Sequence, residues 1–290
     1  MKTSTECVPC FIRQAVEAIA LAVNDPFQQA RILRRVMHDL ADLDWQTSPP
    51  MVADHLHRII REITGDPDPY RSVKDRMNRL ALDALPGCRE LIAAVHDPLQ
   101  AVIRLAVAGN LLDSGAKNQI APEDLPQLFA TLWDHPLAGD PHKLFQVAKR
   151  AERILYLTDN AGEIVLDRLL IEALPMAKVT VAVRGKPILN DALREDAALA
   201  GITELVPVID NGSAVPGTVL ADCSAEFRAH FKRANLIIAK GQGNYETLSE
   251  ARAPIFFLFT VKCPLVAAQI GEPTGTMVVK KTSSWAARSV

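Results

Sequence analysis

From Ile154 onward the chain alternates short β-branched and aliphatic runs with helical ones, and this rhythm restricts the possible folds more than any other feature. The apolar runs are Ile154–Leu157, Val179–Val183, Leu205–Ile209, Leu236–Ala239, Ile255–Phe259 and a late Thr276–Val279. Helical stretches at Ile164–Leu174, Asp191–Ala200, Cys223–Ala234 and Tyr245–Glu250 lie between them. Strand–helix–strand alternation predicts a parallel sheet covered by helices, an α/β fold.

The first half follows a different grammar. Phe11, Ala15, Ile19 and Val23 recur at helical spacing, as do Ile32, Val36 and Leu40. Asp25-Pro26 and Asp97-Pro98 each supply an N-cap and then a proline at the first helical position. Met51 to Ile63 gives a further helix, which Gly65-Asp-Pro-Asp-Pro69 ends. Leu99 to Leu112 gives another, and Asp124 or a neighbour starts a segment with Leu128, Phe129 and Leu132. Few strand signals occur here. The expected organisation is an all-helical N-terminal region, residues 1–150, and an α/β domain, residues 151–290.

The strand ends carry the chemistry. Asp159-Asn160-Ala161-Gly162-Glu163 follows the first strand, and Asn190-Asp191 lies in the turn after the second. Asp210-Asn211-Gly212 and Lys240-Gly241-Gln242-Gly243-Asn244 end later ones. Open α/β sheets bind ligands at the carboxyl ends of their strands, so these groups are expected to meet. The oxygens of Asp159, Asn160 and Asp191 suit a divalent cation. The same residues also read as a plain turn, with Asn190 or Asp191 capping the next helix. Glu163 opens a helix, where it serves a proton, a metal's outer shell or simply the helix dipole. Lys240 with two following glycines offers charge and close backbone approach to a phosphate, although the Walker spacing is absent. Asn110 and Asp113, one helical turn apart after Gly109, share a helix face and are candidate substrate contacts.

Composition narrows the partners. The 290 residues carry a net charge of −2, which argues against bulk nucleic-acid binding. No apolar run approaches the roughly 18–20 residues of a membrane span, and Met1 to Cys7 lacks a signal peptide's apolar segment. A cytoplasmic location is the expectation. Five cysteines make a secreted disulfide framework improbable. Cys7-Val-Pro-Cys10 is a single CxxC without the further ligands of a structural zinc site. The histidines show no HExxH spacing, and no Gly-x-Ser-x-Gly elbow occurs. Nothing in the residues specifies an oligomeric state.

Together, Asp159-Asn-Ala-Gly-Glu163, Asn190-Asp191 and Lys240-Gly-Gln-Gly-Asn244 resemble the metal-dependent damage-control phosphatases, a family long catalogued as a domain of unknown function. The likeness extends in order to Cys7-x-x-Cys10, Gly109-Asn-x-x-Asp113 and Lys262-Cys-Pro264, and is greatest to the short, microbial, CxxC-bearing branch. The resemblance implies a Rossmann-like three-layer C-terminal domain under a helical N-terminal region. It implies hydrolysis of a small phosphorylated metabolite with Mn²⁺, Co²⁺, Ni²⁺ or Mg²⁺. The metal-binding pair maps onto Asp159 and Asn160, the third metal ligand onto Asp191, and the phosphate-binding lysine onto Lys240. Gly241 and Asn244 belong to the same phosphate motif.

The mechanism expected is phosphomonoester hydrolysis by metal-activated water, with Asp159, Asp191 and Glu163 as the catalytic carboxylates; attack by Asp159 through a phosphoenzyme stays open beside it. Two rival readings stand beside it. One is a Rossmann-like carboxyl methyltransferase, and the other a non-enzymatic metal or redox carrier using Cys7 and Cys10.

Overall fold

The computed structural model describes residues 1–118 and 131–282, the side chains of 110–118 excepted. Its centre is a seven-stranded sheet: β1 Leu137–Gly139, β2 Ile154–Leu157, β3 Val179–Val183, β4 Val208–Asp210, β5 Leu236–Lys240, β6 Ile255–Thr260 and β7 Met277–Lys281. The order across the sheet is β1-β7-β6-β5-β2-β3-β4. Neighbours run parallel except β6 and β7, which pair antiparallel. All four residues of β2 are buried. Ile154 and Tyr156 enter the core on one face, Leu155 and Leu157 the core on the other. A strand covered on both sides must be apolar throughout, which is why it reads as an unbroken run.

Helices complete the layers. In the first half these are α1 Val8–Ala22, α2 Pro26–Ala41, α3 Pro49–Thr64, α4 Arg71–Ala94 and α5 Pro98–Asn118. Then come α6 Pro141–Arg150, α7 Glu163–Ala173, α8 Arg194–Leu199, α9 Ala225–Arg233, α10 Gln242–Leu248 and α11 Pro264–Ile270. The expected caps form. Asp25 accepts from the backbone of Phe27 and Gln28 at 3.2 and 3.3 Å, and Asp97 from Gln100 at 3.1 Å. Gly65 ends α3 in the left-handed region, at φ 73°. No helix among the described residues is long and apolar enough to cross a membrane.

The helical half divides its labour. Phe11, Ile19, Ile32, Val36, Leu56 and Ile60 form a separate small core among α1, α2 and α3. By contrast, α5 joins the main core through Val102, Ile103, Leu105, Ala106 and Val107. Helix α4 joins it through Ala81, Leu85 and Cys88.

Several details differ from the sequence reading, among them the antiparallel β6–β7 pair, the unanticipated helix α6 and the start of α10 at Gln242 instead of Tyr245. Helix α4 was not anticipated: its buried positions include Lys74 and Asn78, and Pro86 lies inside it, so no clean apolar stripe announces it. Strand β1 arises from a three-residue segment too short to show a period. Strand β4 begins at Val208 instead of Leu205, because Pro207 has no N–H for a ladder and contributes only its carbonyl, to Val181. Helix α8 begins at Arg194 instead of Asp191. The segment proposed to start near Asp124 falls largely on residues outside those described, as do the side chains of Asn110 and Asp113.

Asp25→Ala removes the only side-chain cap of α2 and is expected to lower stability by about 1 kcal/mol, measured by urea denaturation.

Candidate active site

Strands β3 and β4 lie on one side of β2, and the chain then returns to place β5 on its other side. The carboxyl ends of β2, β3 and β5 therefore surround a crevice at a topological switch point. A cavity of about 660 Å³ opens there, with Asp159, Asn160 and Asp191 in its wall.

Backbone pairing brings these three together. Asn160 and Asp191 form an isolated antiparallel bridge. The amide of Ala192 donates to the Asp159 carbonyl and that of Ala161 to the Asn190 carbonyl, both at 2.8 Å. Asn160 Nδ2 donates to Asp159 Oδ2 at 3.1 Å, and Arg184 Nε to Asp191 Oδ2 at 2.6 Å. Neither acidic residue caps a helix. Gly162 is the N-cap of α7, and the residue before α8 is Leu193, whose N–H donates to the Asp196 carboxylate at 2.7 Å. Asp191 is diverted from helical geometry by its bridge to Asn160, which accounts for the late start of α8.

Gly241 explains part of the glycine motif. Its φ is +79°, and a Cβ there would lie 2.1 Å from the Asp159 carboxylate carbon. Glycine lets the end of β5 pass directly against that carboxylate. The Gly241 N–H is engaged with the Leu258 carbonyl at 3.0 Å. Asn244 is fully buried. It donates to the carbonyls of Thr158 and Lys240 and accepts from Thr218, so it ties the end of β2 to that of β5.

Lys240 and Glu163 lie beneath the cavity and not in its wall; both are fully buried. The Lys240 ammonium donates to Glu163 Oε1 at 2.6 Å, to Asp167 Oδ1 at 2.5 Å and to the Ala106 carbonyl at 2.8 Å. Tyr156 adds a hydroxyl donor to Asp167 at 2.8 Å. Gly109 of α5 packs so tightly that a Cβ there would fall 2.5 Å from the Glu163 side chain. One ammonium cannot neutralise two buried carboxylates. Burial, reinforced by Asp159 and Asp167, pushes Glu163 up to about 8 against the pull of Lys240. The lysine itself is held protonated, since Asp167 and Glu163 outweigh its own burial.

Asp191 is pushed up to about 7, by burial first and by Asp159's charge, against the attraction of Arg184 and Lys74. The cavity floor thus carries more carboxylate than its cations balance.

Several residues of this site escaped the sequence reading. Asn78 of α4 accepts from Gly162 N at 2.7 Å and donates to Asp196 at 2.6 Å, so one amide braces both acidic loops. Lys74, one turn earlier and also buried, pairs with Asp68 at 2.6 Å. The i,i+4 spacing of Lys74 with Asn78 was a readable signal, as was that of Glu163 with Asp167. Arg184 had no such signal. Cys7, Cys10 and Cys263 line the cavity as free thiols.

The fold and site define an α/β protein with an acidic crevice at its switch point. Residues 3–278 match the damage-control phosphatase ARMT1-like domain, and the chain belongs to that family. It is 35% identical to a damage-control phosphatase of Pyrococcus horikoshii, covering 96% of this chain and 97% of that one. It is 32% identical to a damage-control phosphatase of Archaeoglobus fulgidus, over 97% and 99% of the two chains. An uncharacterized protein of Methanocaldococcus jannaschii is 36% identical over 97% and 96%. The crystal structure of a DUF89 family protein from Pyrococcus horikoshii superposes with a TM-score of 0.89 at 32% identity, covering 97% and 99%.

Two outcomes test this anatomy. Gly241→Ala forces a left-handed alanine against Asp159 and is expected to destabilise by more than the roughly 1–2 kcal/mol of the backbone penalty alone, read by chemical denaturation. Lys240→Met strands two buried carboxylates and is expected to lose about 3–5 kcal/mol at neutral pH. A carboxylate with a raised folded pKa binds more protons folded than unfolded, so its burden grows with pH. The deficit of Lys240→Met relative to the parent should therefore shrink between pH 8 and pH 5. A deficit constant across that window contradicts the buried triad.

Proposed function

We propose that this protein is a metal-dependent phosphatase that hydrolyses phosphomonoesters of small metabolites, such as sugar phosphates or damaged phosphometabolites. The observation that carries the reading is the meeting of Asp159, Asn160 and Asp191, from two different strand ends, in the wall of one cavity. Two relatives named damage-control phosphatases support the reaction class.

The donor set fits a hard divalent ion such as Mn²⁺, Co²⁺, Ni²⁺ or Mg²⁺. Two carboxylates and a carboxamide offer oxygen ligands and leave positions for water and a phosphoryl oxygen. Burial is the main reason Asp191 is raised, and the part that comes from Asp159's charge would be relieved by a cation between the acidic groups. No cluster of three His, Cys, Asp or Glu side chains placed to hold a metal occurs among the described residues; the proposed set takes its third oxygen from the Asn160 amide. When bound, the ion supplies Lewis acidity toward the phosphoryl group and lowers the pKa of a coordinated water.

The chain's own residues have separate tasks. Arg184 fixes the orientation of Asp191, and Asn160 that of Asp159. Asp191 orients the attacking water. Lys240, with Glu163 and Asp167, supplies charge balance and rigidity from beneath the phosphoryl site without entering the cavity. Within the helical region, α1, α2 and α3 with their separate core act as a cap. Phe11 and Pro50 line the cavity from this cap, and the cavity's volume of about 660 Å³ suits a small substrate.

Asp159→Ala is expected to lower Mn²⁺-dependent hydrolysis of 4-nitrophenyl phosphate by more than about 100-fold, since changes merely adjacent to metal ligands cost up to that much. A variant that keeps the parent's circular dichroism spectrum and its full activity ends the reading.

A further inference from the structure

We infer that Glu246 is a catalytic residue of this site, the acid that protonates the leaving-group oxygen as the phosphoester bond breaks. This inference rests on the phosphatase reading and deepens it.

Position comes first. Helix α10 starts immediately after Gly241, the residue against which Asp159 rests, and Glu246 projects from it into the wall that also holds Asp159, Asn160 and Asp191. Glu246 is 8% exposed. Two other glutamates line the cavity from the opposite side, but Glu6 is exposed and Glu17 only half-buried. Asp191 is locked to Arg184, and Glu163 lies below the floor on Lys240. Glu246 is thus a deeply buried carboxyl in the wall whose side chain is held by a neutral amide, while the Met1 ammonium donates to its backbone carbonyl at 3.0 Å.

It is also held in place by a neutral donor. The Lys262 N–H donates to Gln242 Oε1 at 2.9 Å, which turns the Gln242 amide nitrogen toward Glu246 Oε1 at 2.8 Å and Cys263 Sγ at 3.5 Å. A carboxamide donor serves an acid in both protonation states. It orients the carboxyl and favours the ionised form, but burial outweighs that pull.

The charged groups that act on it are few. Burial is the largest influence and raises it; the Gln242 hydrogen bond, Lys262 and the Met1 ammonium oppose, and Asp159 raises it further, so that Glu246 is pushed up to about 7. On the facing side burial raises the Cys263 thiol, and the charges of Glu246 and Cys7 add to the rise. Helix α3 lines the cavity with Pro49, Pro50 and Ala53, none of which titrates. A general acid works best when its pKa lies near the operating pH.

The step balances. Water adds to phosphorus, the bond to the ester oxygen breaks, and its electron pair stays on that oxygen. The oxygen takes the Glu246 proton and departs as an alcohol. A proton lost by the attacking water returns Glu246 to its acid form, and inorganic phosphate leaves.

The test compares Glu246→Gln with the parent, both loaded with Mn²⁺, on two esters. Glycerol 2-phosphate has an alkoxide leaving group that needs a proton; 4-nitrophenyl phosphate releases a stable phenolate that does not. The variant is expected to lose about 100-fold in kcat/KM on glycerol 2-phosphate and less than about threefold on the nitrophenyl ester, the span of general acid catalysis. The parent's rate on glycerol 2-phosphate should fall on the basic side as the acid loses its proton, and that limb should vanish in the variant. Retained nitrophenyl activity serves as the folding control. Equal losses on both esters, or no loss on either, overturn the inference while the phosphatase reading stands. A parent inactive on both esters with every divalent ion overturns that reading, and this one with it. In metal-free protein, infrared titration should show one protonated carboxyl near neutral pH that Glu246→Gln lacks; an unchanged titration also overturns the assignment.

Discussion

One buried ammonium organises the centre of this protein. Lys240 leaves the end of β5 and reaches two carboxylates on α7 and a carbonyl of α5. Three elements from distant parts of the chain are thereby fixed to one nitrogen. Such a cluster gains little net stability over apolar packing, because desolvation offsets most of the attraction. Its value is geometric. The first turn of α7 follows directly from the Asp159–Gly162 loop, so fixing Glu163 fixes the acidic loop above it. Gly109 and Gly241 are the clearances that allow this arrangement to close, one beneath Glu163 and one beside Asp159.

A second brace comes from the helical half. Asn78 joins Gly162 and Asp196 through one carboxamide, and therefore couples the loop after β2 to the loop after β3. The α1–α3 core touches the same region through Leu189, whose φ of 45° is unusual for a branched side chain. Arg61 donates to the Pro187 carbonyl in that loop at 3.3 Å. The helical region and the sheet are thus mechanically connected at the cavity.

The alternation of periods was legible because both faces of β2, β3, β5 and β6 are covered, which demands apolar residues at every position. The polar clusters at strand ends were legible because parallel strands deliver their carboxyl ends to one edge. Less was legible where polar residues do structural work. Helix α4 hides behind Lys74 and Asn78, buried against its helical stripe. Arg184 occupies an ordinary strand end, and its contact with Asp191 exists only because the intervening turn folds back. The sequence placed Lys240 opposite a phosphate. Its full burial reflects α5 lying across the sheet with its Ala106 carbonyl directed at the ammonium.

What the residues by themselves determined is local: which stretches are strands or helices, that a parallel sheet follows, and that Asp159, Asn160 and Asp191 stand at neighbouring strand ends. These follow from side-chain periodicity, capping chemistry and the pleat, all of short range. What only the tertiary structure decided is the environment of each ionisable group. Glu163 and Glu246 are both first- or second-turn glutamates in sequence. One is sealed under the floor on a lysine, and the other faces the cavity beside a neutral amide. Burial and the sign of the nearest charge set proton affinity, and both depend on residues far away in the chain.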